Sequence, residues 1–492
     1  MRVDVRPVQK LRGAEPLDVT APLAQMLSAL AGDTVDLTHV RLVCDWIQYK
    51  SNFRDVVDIR PVLAHPAASG EDAGPAMIEI AVDLRRSEDV DVEAATHAAL
   101  ARLRSGRLRR GIYLEPWTAG RTSCIWRFNA LYWQALGHWE AATGREYERA
   151  LPGGATDARN LTAVHELIHA LFRVWDELDA RNALPDELYV VELGVGNGGQ
   201  ARTWLDEFVT LDRAHGRDYY RRLHYILCDY SPHVLARAEA AVAGHAAHTS
   251  AMVVDATRPL SALGFLRHKA FLVYVSNVYD NLPSDEIARI GGRVHQVEVR
   301  AWIADDAAAR LAAEVSSSPD AVPGLVDKLL RLGPELLSEA MPAQFPSVGD
   351  AVGFWRECWG AVRLEERYVP LEGLDAYEIA PGLSGEHLRP QLDADGDVRL
   401  HVNNGAVASF AGTLPLLHPF GRLQCLDLFV ESAEQYHSGF HGPGKYDGSV
   451  VNWVNGPLLR QIGRRHAVDV TFTPFRHGAR SSITTLTASL HD

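Results

Sequence analysis

The stretch Tyr189-Val190-Val191-Glu192-Leu193-Gly194-Val195-Gly196-Asn197-Gly198-Gly199 restricts the fold more than any other part of this chain. A β-branched run that ends on an acid and breaks into glycines reads as a strand followed by a tight turn. Trp204, Phe208 and Leu211 then recur at a spacing that shares one helix face. Strand, glycine turn and helix in that order make the opening unit of a nucleotide-binding α/β sheet, where glycines let the backbone turn sharply and approach a ligand closely. Gly194, Gly196 and Gly199 satisfy the dinucleotide fingerprint, a weak signal by itself. Glu192 shifts the balance, because a carboxylate at the strand tip repels a pyrophosphate and suits a ligand carrying ammonium and sulfonium charges.

Further strands follow at α/β spacing: His224 to Asp229, Ala251 to Asp255 and Phe271 to Val275. Helical segments between them imply a parallel sheet with its ligands at the strand C-termini. A later strand is expected at Gly421 to Val430, running into a polar loop from Glu431 to Gly448. Upstream, residues 1–120 read as a separate α+β unit, with strands at Ala76 to Leu84 and Gly111 to Glu115, a helix at Val92 to Leu103 and a loop at His65 to Pro75. No chemical motif stands out in that unit, which is assigned to packing, dimerisation or substrate capping. Residues 291–399 carry helical stretches (Gly324 to Ala340, Val352 to Val362) and read as a helical cap inserted into the core of 121–290 and 400–492.

With 492 residues, 47 % of them hydrophobic and 23 % charged, the chain is long enough for two or three folded domains. A net charge of −14 disfavours nucleic acid as a partner, and no apolar run reaches membrane-spanning length. The first residues lack the apolar core of a signal peptide, so the cytoplasm is the expected compartment. The five cysteines are scattered without a Cys-x-x-Cys pair, which argues against a disulfide framework or a thiolate zinc site. One motif points elsewhere: His165-Glu166-Leu167-Ile168-His169, on a helix from about Leu161 to Arg181, is the zincin pattern of a zinc peptidase. Phe172 and Trp175 fall where a metzincin would place its third ligand, so no metal is expected there.

The whole Glu-x-Gly-x-Gly-x-Gly motif resembles the first motif of class I S-adenosylmethionine (SAM) methyltransferases. The tail of the fourth strand, Asn277-Val278-Tyr279-Asp280-Asn281-Leu282-Pro283, is similar to the Asn-Glu-x-x-Asp-Ala-Leu-Pro signature of MidA-type methyltransferases, with Val278 in place of the family's glutamate. That family includes the mitochondrial complex I assembly methyltransferase, which acts on a protein arginine. Ala130-Leu131-Tyr132 with Gly137-His138-Trp139, the Glu166-Leu167-Ile168 helix and Tyr446 to Asn455 resemble further elements of it.

The resemblance covers about 125–290 and 400–475 and implies a Rossmann-like class I SAM sheet. SAM would lie against Glu192, Gly194, Gly196, Gly198 and Ser276, its ribose hydroxyls donating to Asp229 and its adenine amine read by Asp255 and the Ala256 backbone. An arginine acceptor arrives as a guanidinium and must lose a proton, so carboxylates near the methyl are the candidate catalytic groups: Asp280 first, then Asp285, Glu286, Glu431 and Glu434. Of these, Asp285 and Glu286 are expected rather to cap a helix after Pro283. Asn277 and Tyr279 sit where many amino-group methyltransferases carry Asn-Pro-Pro-Tyr, with the Tyr279 ring placed to pack on a cation. His437, His441 and Tyr446 would line the acceptor pocket. The expected activity is N-methylation of a guanidino group, on free arginine, a natural-product precursor or a peptide, by a chain able to form a homodimer. Another metabolite acceptor, a zinc metallopeptidase using His165, Glu166 and His169, and a non-catalytic SAM-binding assembly factor are the alternatives.

Overall fold

The structure, a computed structural model, describes residues 2–4, 18–31, 40–45, 47, 49–61, 78–104, 111–147, 161–393, 396–437, 442–475 and 483–490. At its centre is a seven-stranded sheet: β1 (Leu188–Leu193), β2 (Leu223–Asp229), β3 (Thr249–Val253), β4 (Ala270–Ser276), β5 (Leu417–Asp427), β6 (Val468–Pro474) and β7 (Thr484–Leu490). The spatial order is β6-β7-β5-β4-β1-β2-β3. The five strands from β5 to β3 are parallel, and β7 runs antiparallel to both β5 and β6. From β1 the chain winds outward through β2 to β3, then crosses back to β4 on the other side of β1. The strand order therefore reverses between β1 and β4, and a crevice opens there at the carboxyl ends of an open α/β sheet.

Alternation within the strands separates the two faces. Leu188 and Val190 pack with α1 (Leu161–Ala180) and α2 (Gly199–Ala214), while Val191 and Leu193 pack on the opposite face with the helix Asn404–Thr413. Val164, Leu167, Ile168, Leu171, Trp175 and Leu178 form the buried stripe of α1, as the periodicity predicts. The α3 helix (Pro232–Ala241) is capped by the Ser231 hydroxyl, with Pro232 in its first turn.

Two further units surround the crevice. The first is a four-stranded sheet of Arg2–Asp4, Val40–Asp45, Ile78–Asp83 and Val57–Pro61, packed on the helices Thr20–Ala31 and Val92–Arg104. The expected loop at 65–75 lies outside the described residues. The second unit occupies the chain between β4 and β5, and it is not purely helical. Its helices Asp305–Glu314, Val322–Ala340 and Val348–Ala361 accompany a sheet built on the long strand Arg293–Ala304, paired with Arg363–Pro370 and Glu286–Ile290. Val297, Val299, Ala301 and Ile303 are buried at alternate positions along that strand, a period of two that a helical cap would not show. Strands Gly111–Tyr113 and Thr118–Ala119 join its edge, so the last part of the expected N-terminal unit belongs to this sheet. Gly333, at φ +75° just before Pro334, breaks the long helix Val322–Ala340. No helix among the described residues is long and apolar enough to cross a membrane.

Candidate functional site

The carboxyl end of β1 carries the first element of the site. Glu192 is 3 % exposed, on the sheet face beneath the glycine turn, and its Oε2 accepts a hydrogen bond of 2.6 Å from the Tyr225 hydroxyl. Burial pushes its carboxyl up to about 8 against the pull of that hydrogen bond, and the nearby Asp229 adds to the rise. Gly194, Gly196 and Gly198 all have φ between 58° and 76°, the left-handed region that glycine enters without penalty. At two of them the space is already filled. A Cβ on Gly194 would stand 2.3 Å from Val278 Cγ2, and one on Gly198 would stand 2.7 Å from the Ala238 backbone. These two glycines are thus demanded by the fold itself.

Asp229, at the end of β2, is tied to the turn: its Oδ2 accepts from the Gly196 N–H at 3.3 Å and its Oδ1 from the Ser231 N–H at 3.0 Å. Burial raises its carboxyl to about 6, with the backbone donors pulling the other way. Asp255 lies two residues beyond β3, is exposed, and accepts from both the Thr257 N–H and hydroxyl. Ala256 follows it, half-buried. Ser276 closes β4 on the Glu192 side, and its side chain faces the Tyr274 phenol. Glu192, the three glycines, Asp229 and Ser276 therefore converge on one crevice, with Asp255 and Ala256 at its β3 end.

The acceptor-side candidates divide. Asn277 occupies a left-handed turn (φ 51°) and bonds to β5 through its backbone, donating to the Leu426 carbonyl at 2.9 Å. Tyr279 is fully buried in the core beside the helix Asn404–Thr413, so its ring is not available to pack on a substrate cation. Its backbone N–H donates to Asp427 Oδ2 at 2.8 Å. Asp280 is 5 % exposed and touches Asp427, which is fully buried at the end of β5. Burial raises both carboxyls: Asp280 goes well above the usual range, with repulsion from Asp427 adding to the rise, and Asp427 goes up to about 6 against the pull of its backbone donors. Glu431 is tied to Thr484 at 2.8 Å, and its backbone N–H donates to Gln435, which places it with β7 and not with Asp280. Asp285 and Glu286 cap no helix, because the chain enters the strand Glu286–Ile290 there. Asp285 instead accepts from the Arg121 N–H and the Tyr377 hydroxyl, and Glu286 pairs with Arg399. His441 and the His437 side chain lie outside the described residues.

Sequence reasoning missed Asp427, Tyr49 and the surroundings of Arg54. Asp427 carried a readable signal, since it ends an apolar strand on an acid as β1 and β2 do. Tyr49 and Arg54 belong to the N-terminal unit and reach the core through the fold alone. The Tyr49 ring packs on Gly444, where a Cβ would stand 2.3 Å from it, and its phenol is raised by burial and by Asp280 and Asp427. Arg54 borders a small cleft of about 20 Å³ shared with Ile125, Trp126, Ser284, Glu286 and Asn452. Asn452 links this cleft to the carboxyl pair, because its backbone N–H donates to the Asp280 carbonyl at 2.9 Å.

The zincin-like histidines meet partners on α2 and at its C-terminal cap. His165 Nε2 lies 2.6 Å from Glu207, and the His169 ring packs on His215. Among the described residues no group of three or more His, Cys, Asp or Glu is arranged to hold a metal.

No family model and no curated protein matches the chain. Solved structures do, distantly. An uncharacterized protein from Burkholderia thailandensis is 14 % identical, with 80 % of this chain and 91 % of that one covered at a TM-score of 0.43. A protein of the same superfamily and organism, bound to S-adenosyl-homocysteine, is 16 % identical over the same shares with the same TM-score. A DhpI complex with S-adenosyl-homocysteine is 9 % identical, covering 74 % of this chain and 97 % of that chain at a TM-score of 0.28.

Proposed function

We propose that this chain is a SAM-dependent methyltransferase acting on a nitrogen acceptor, with a guanidino group, free or in a peptide, as the favoured substrate. The observation that carries the reading is Glu192: a carboxyl buried at the topological switch point, under a left-handed glycine turn, with no cation beside it among the described residues. Such a group is costly to ionise unless a ligand brings a positive charge, and SAM brings two. Asp229 supplies a second acceptor within the same crevice, suited to ribose hydroxyls. The strand order, with β7 reversed between β5 and β6, also resembles that of class I methyltransferase sheets. Against this fit, a pyrophosphate would meet the Glu192 and Asp229 carboxyls directly.

SAM, when bound, supplies an electrophilic methyl group on a sulfonium. The chain's own part is to hold the acceptor nitrogen in line, to exclude water and to take the proton that the nitrogen sheds. Asp280 is the carboxyl for that last role, and the acceptor would enter from the cleft bordered by Asn452 and Ser284. Calorimetric titration with SAM and S-adenosyl-homocysteine tests the donor half. Binding of both, tighter for SAM, is expected, and Glu192→Gln is expected to erase the preference. A chain that binds neither, or that takes a nicotinamide dinucleotide instead, would sink the reading. Incubation with methyl-labelled SAM and a panel of guanidino, amino and carboxyl acceptors tests the acceptor half.

A further inference from the structure

The face of the central sheet that carries α1 is polar where β5 meets β7. β5 reaches that place through a bulge: Ala270 of β4 pairs with Leu417 and Leu272 with Arg422, so four residues of β5 stand where β4 has one. Beyond the bulge the Arg422 side chain turns to α1, and its Nη2 donates to the Leu167 carbonyl at 3.4 Å, a long hydrogen bond. Its Nε is buried without a partner, and its Nη1 has none among the described residues.

Further donors share this face. Gln424, two residues on, lies on the Arg422 side of β5, and Ser489 and Thr487 of β7 stand directly opposite Arg422 and Gln424. All three are half-buried, and none of their side chains has a hydrogen-bond partner among the described residues. No carboxylate among the described residues pairs with Arg422. Burial, with the positive charge of Arg173 on α1 adding to it, lowers its guanidinium to about 10, which leaves it charged at neutral pH. The arginines between the N-terminal and inserted sheets are treated otherwise: Arg54, Arg60 and Arg399 each meet an acid. Asp469, opposite Ser489 on β6, is exposed and does not offset the lowering of Arg422.

We propose that Arg422 and Arg173, with Gln424, Ser489 and Thr487, bind a phosphate dianion, free or as the end group of a monoester, between α1 and the outer strands of the sheet. A half-buried guanidinium without a counter-charge is costly, and a cluster of unpartnered donors around it calls for an anion rich in oxygen. Two arginines match two negative charges. The planar fork of Arg422 suits a pair of phosphate oxygens, and the amide and hydroxyl donors suit the others. A carboxylate, with one charge and two oxygens, would leave part of this set unanswered. Arg173 is exposed and forms no salt bridge among the described residues, so its guanidinium is free to turn to the same anion.

This site stands apart from the methyl-donor crevice and does not depend on the methyl-transfer reading. The crevice opens at the carboxyl ends of the parallel strands, where Asp427 closes β5, whereas Arg422 lies nearer the amino end and faces α1. An anion held there bridges α1 to β5 and β7, so its binding is expected to raise thermal stability by mass action.

The test titrates the full chain calorimetrically with inorganic phosphate and with methyl phosphate, in chloride buffer at fixed ionic strength. Saturable binding of one phosphate per chain and a rise in unfolding temperature are expected. Arg422→Gln is expected to weaken binding about tenfold or more, the factor for one lost charge-assisted hydrogen bond. Arg422→Lys, which keeps the charge without the fork, should fall between the parent and Arg422→Gln. Arg173→Gln changes an exposed position that does not threaten the fold, and a loss of about threefold is expected there. Saturating S-adenosyl-homocysteine should leave phosphate affinity unchanged. Tighter inorganic phosphate would assign the site to the free ion and tighter methyl phosphate to a monoester, and either upholds the proposal. No saturable binding of either probe, an affinity unchanged in both Arg422→Gln and Arg173→Gln, or phosphate displaced by S-adenosyl-homocysteine would overturn it. If Arg422→Gln does not fold, Arg173→Gln and the displacement experiment decide.

Discussion

Two regions of this molecule bury carboxylates, and they treat them in opposite ways. Where the N-terminal sheet meets the inserted sheet, every buried acid has an arginine: Arg60 with Asp45 at 2.5 Å, Arg54 with Asp58 and Glu366, Arg399 with Glu366 and Glu286. Although burial opposes their charges, Arg399 holds Glu286 below its ordinary value, and Arg399 with Arg54 holds Glu366 well below. At the carboxyl edge of the central sheet Glu192, Asp280 and Asp427 are buried and Asp229 is half-buried, none with an arginine among the described residues, and all four are raised. Desolvation acts on both sets, so the difference lies in the missing cations. The first region is a finished structural joint. The second leaves its carboxyls raised and without a counter-charge among the described residues.

The contrast breaks most visibly at Glu366, which accepts from both Arg54 and Arg399. Glu366→Gln removes the carboxylate shared by Arg54 and Arg399, leaving Arg54 with Asp58 and Arg399 with Glu286 as their remaining ion pairs, and a loss of about 3 kcal/mol is expected in urea unfolding. A loss under about 1 kcal/mol would mean that water reaches this joint and that the two regions are not different in kind.

Glu192 gives the opposite sign. Its folded value of about 8 lies above the ordinary 4.5, so the stability tied to its protonated form is fully present below pH 4.5 and lost as pH rises through 8. Glu192→Gln keeps the neutral shape, and should match the parent near pH 5 and exceed it at pH 9 by roughly 3 to 4 kcal/mol. Ligand-free protein followed by thermal unfolding across that range provides the check. A variant less stable at every pH would place Glu192 among the structural acids instead.

Much of this was legible in the chain, and the exceptions have physical causes. The parallel strands β1, β2 and β4 are apolar runs buried on both faces, and such runs announce themselves locally. The glycine turn and the acids at the tips of β1 and β2 are equally local. The strand Arg293–Ala304 alternates Val297, Val299, Ala301 and Ile303 toward the core, a signal present but outweighed by its helical neighbours. Tyr279 shows the limit of motif position: its place in the Asn277–Pro283 element points to a site, yet its ring turns into the core and its backbone N–H donates to Asp427. The arginine ladder could not be read at all, because Arg54 and Glu366 are 312 residues apart and only the packed sheets bring them together.

The glycine turn offers a subtler test of whether the crevice is built by packing or held for a ligand. Gly198→Ala must place a methyl against the Ala238 backbone while φ stays at 76°, and about 2 kcal/mol of stability is expected to go with it. At Gly194 the obstacle is only the Val278 side chain, so Gly194→Ala paired with Val278→Ala should recover part of the loss that Gly194→Ala causes alone. Recovery of stability without recovery of SAM binding would show that the space above Gly194 serves the ligand as well as the fold.

The smallest effect belongs to His165, the residue whose motif pointed away from this reading. Its contact with Glu207 joins α1 to α2 at the surface, with both side chains about a third exposed, and such pairs contribute about 1 kcal/mol or less. His165→Ala should therefore shift thermal unfolding by only a few degrees and leave SAM affinity unchanged. The same helix is anchored by Trp175, Phe172 and Leu171, which pack on Phe208 and Phe271 regardless of the histidine. Stoichiometric metal in the purified chain that disappears in His165→Ala would reverse this assignment, because a metal bound across α1 and α2 would make that surface a centre in its own right.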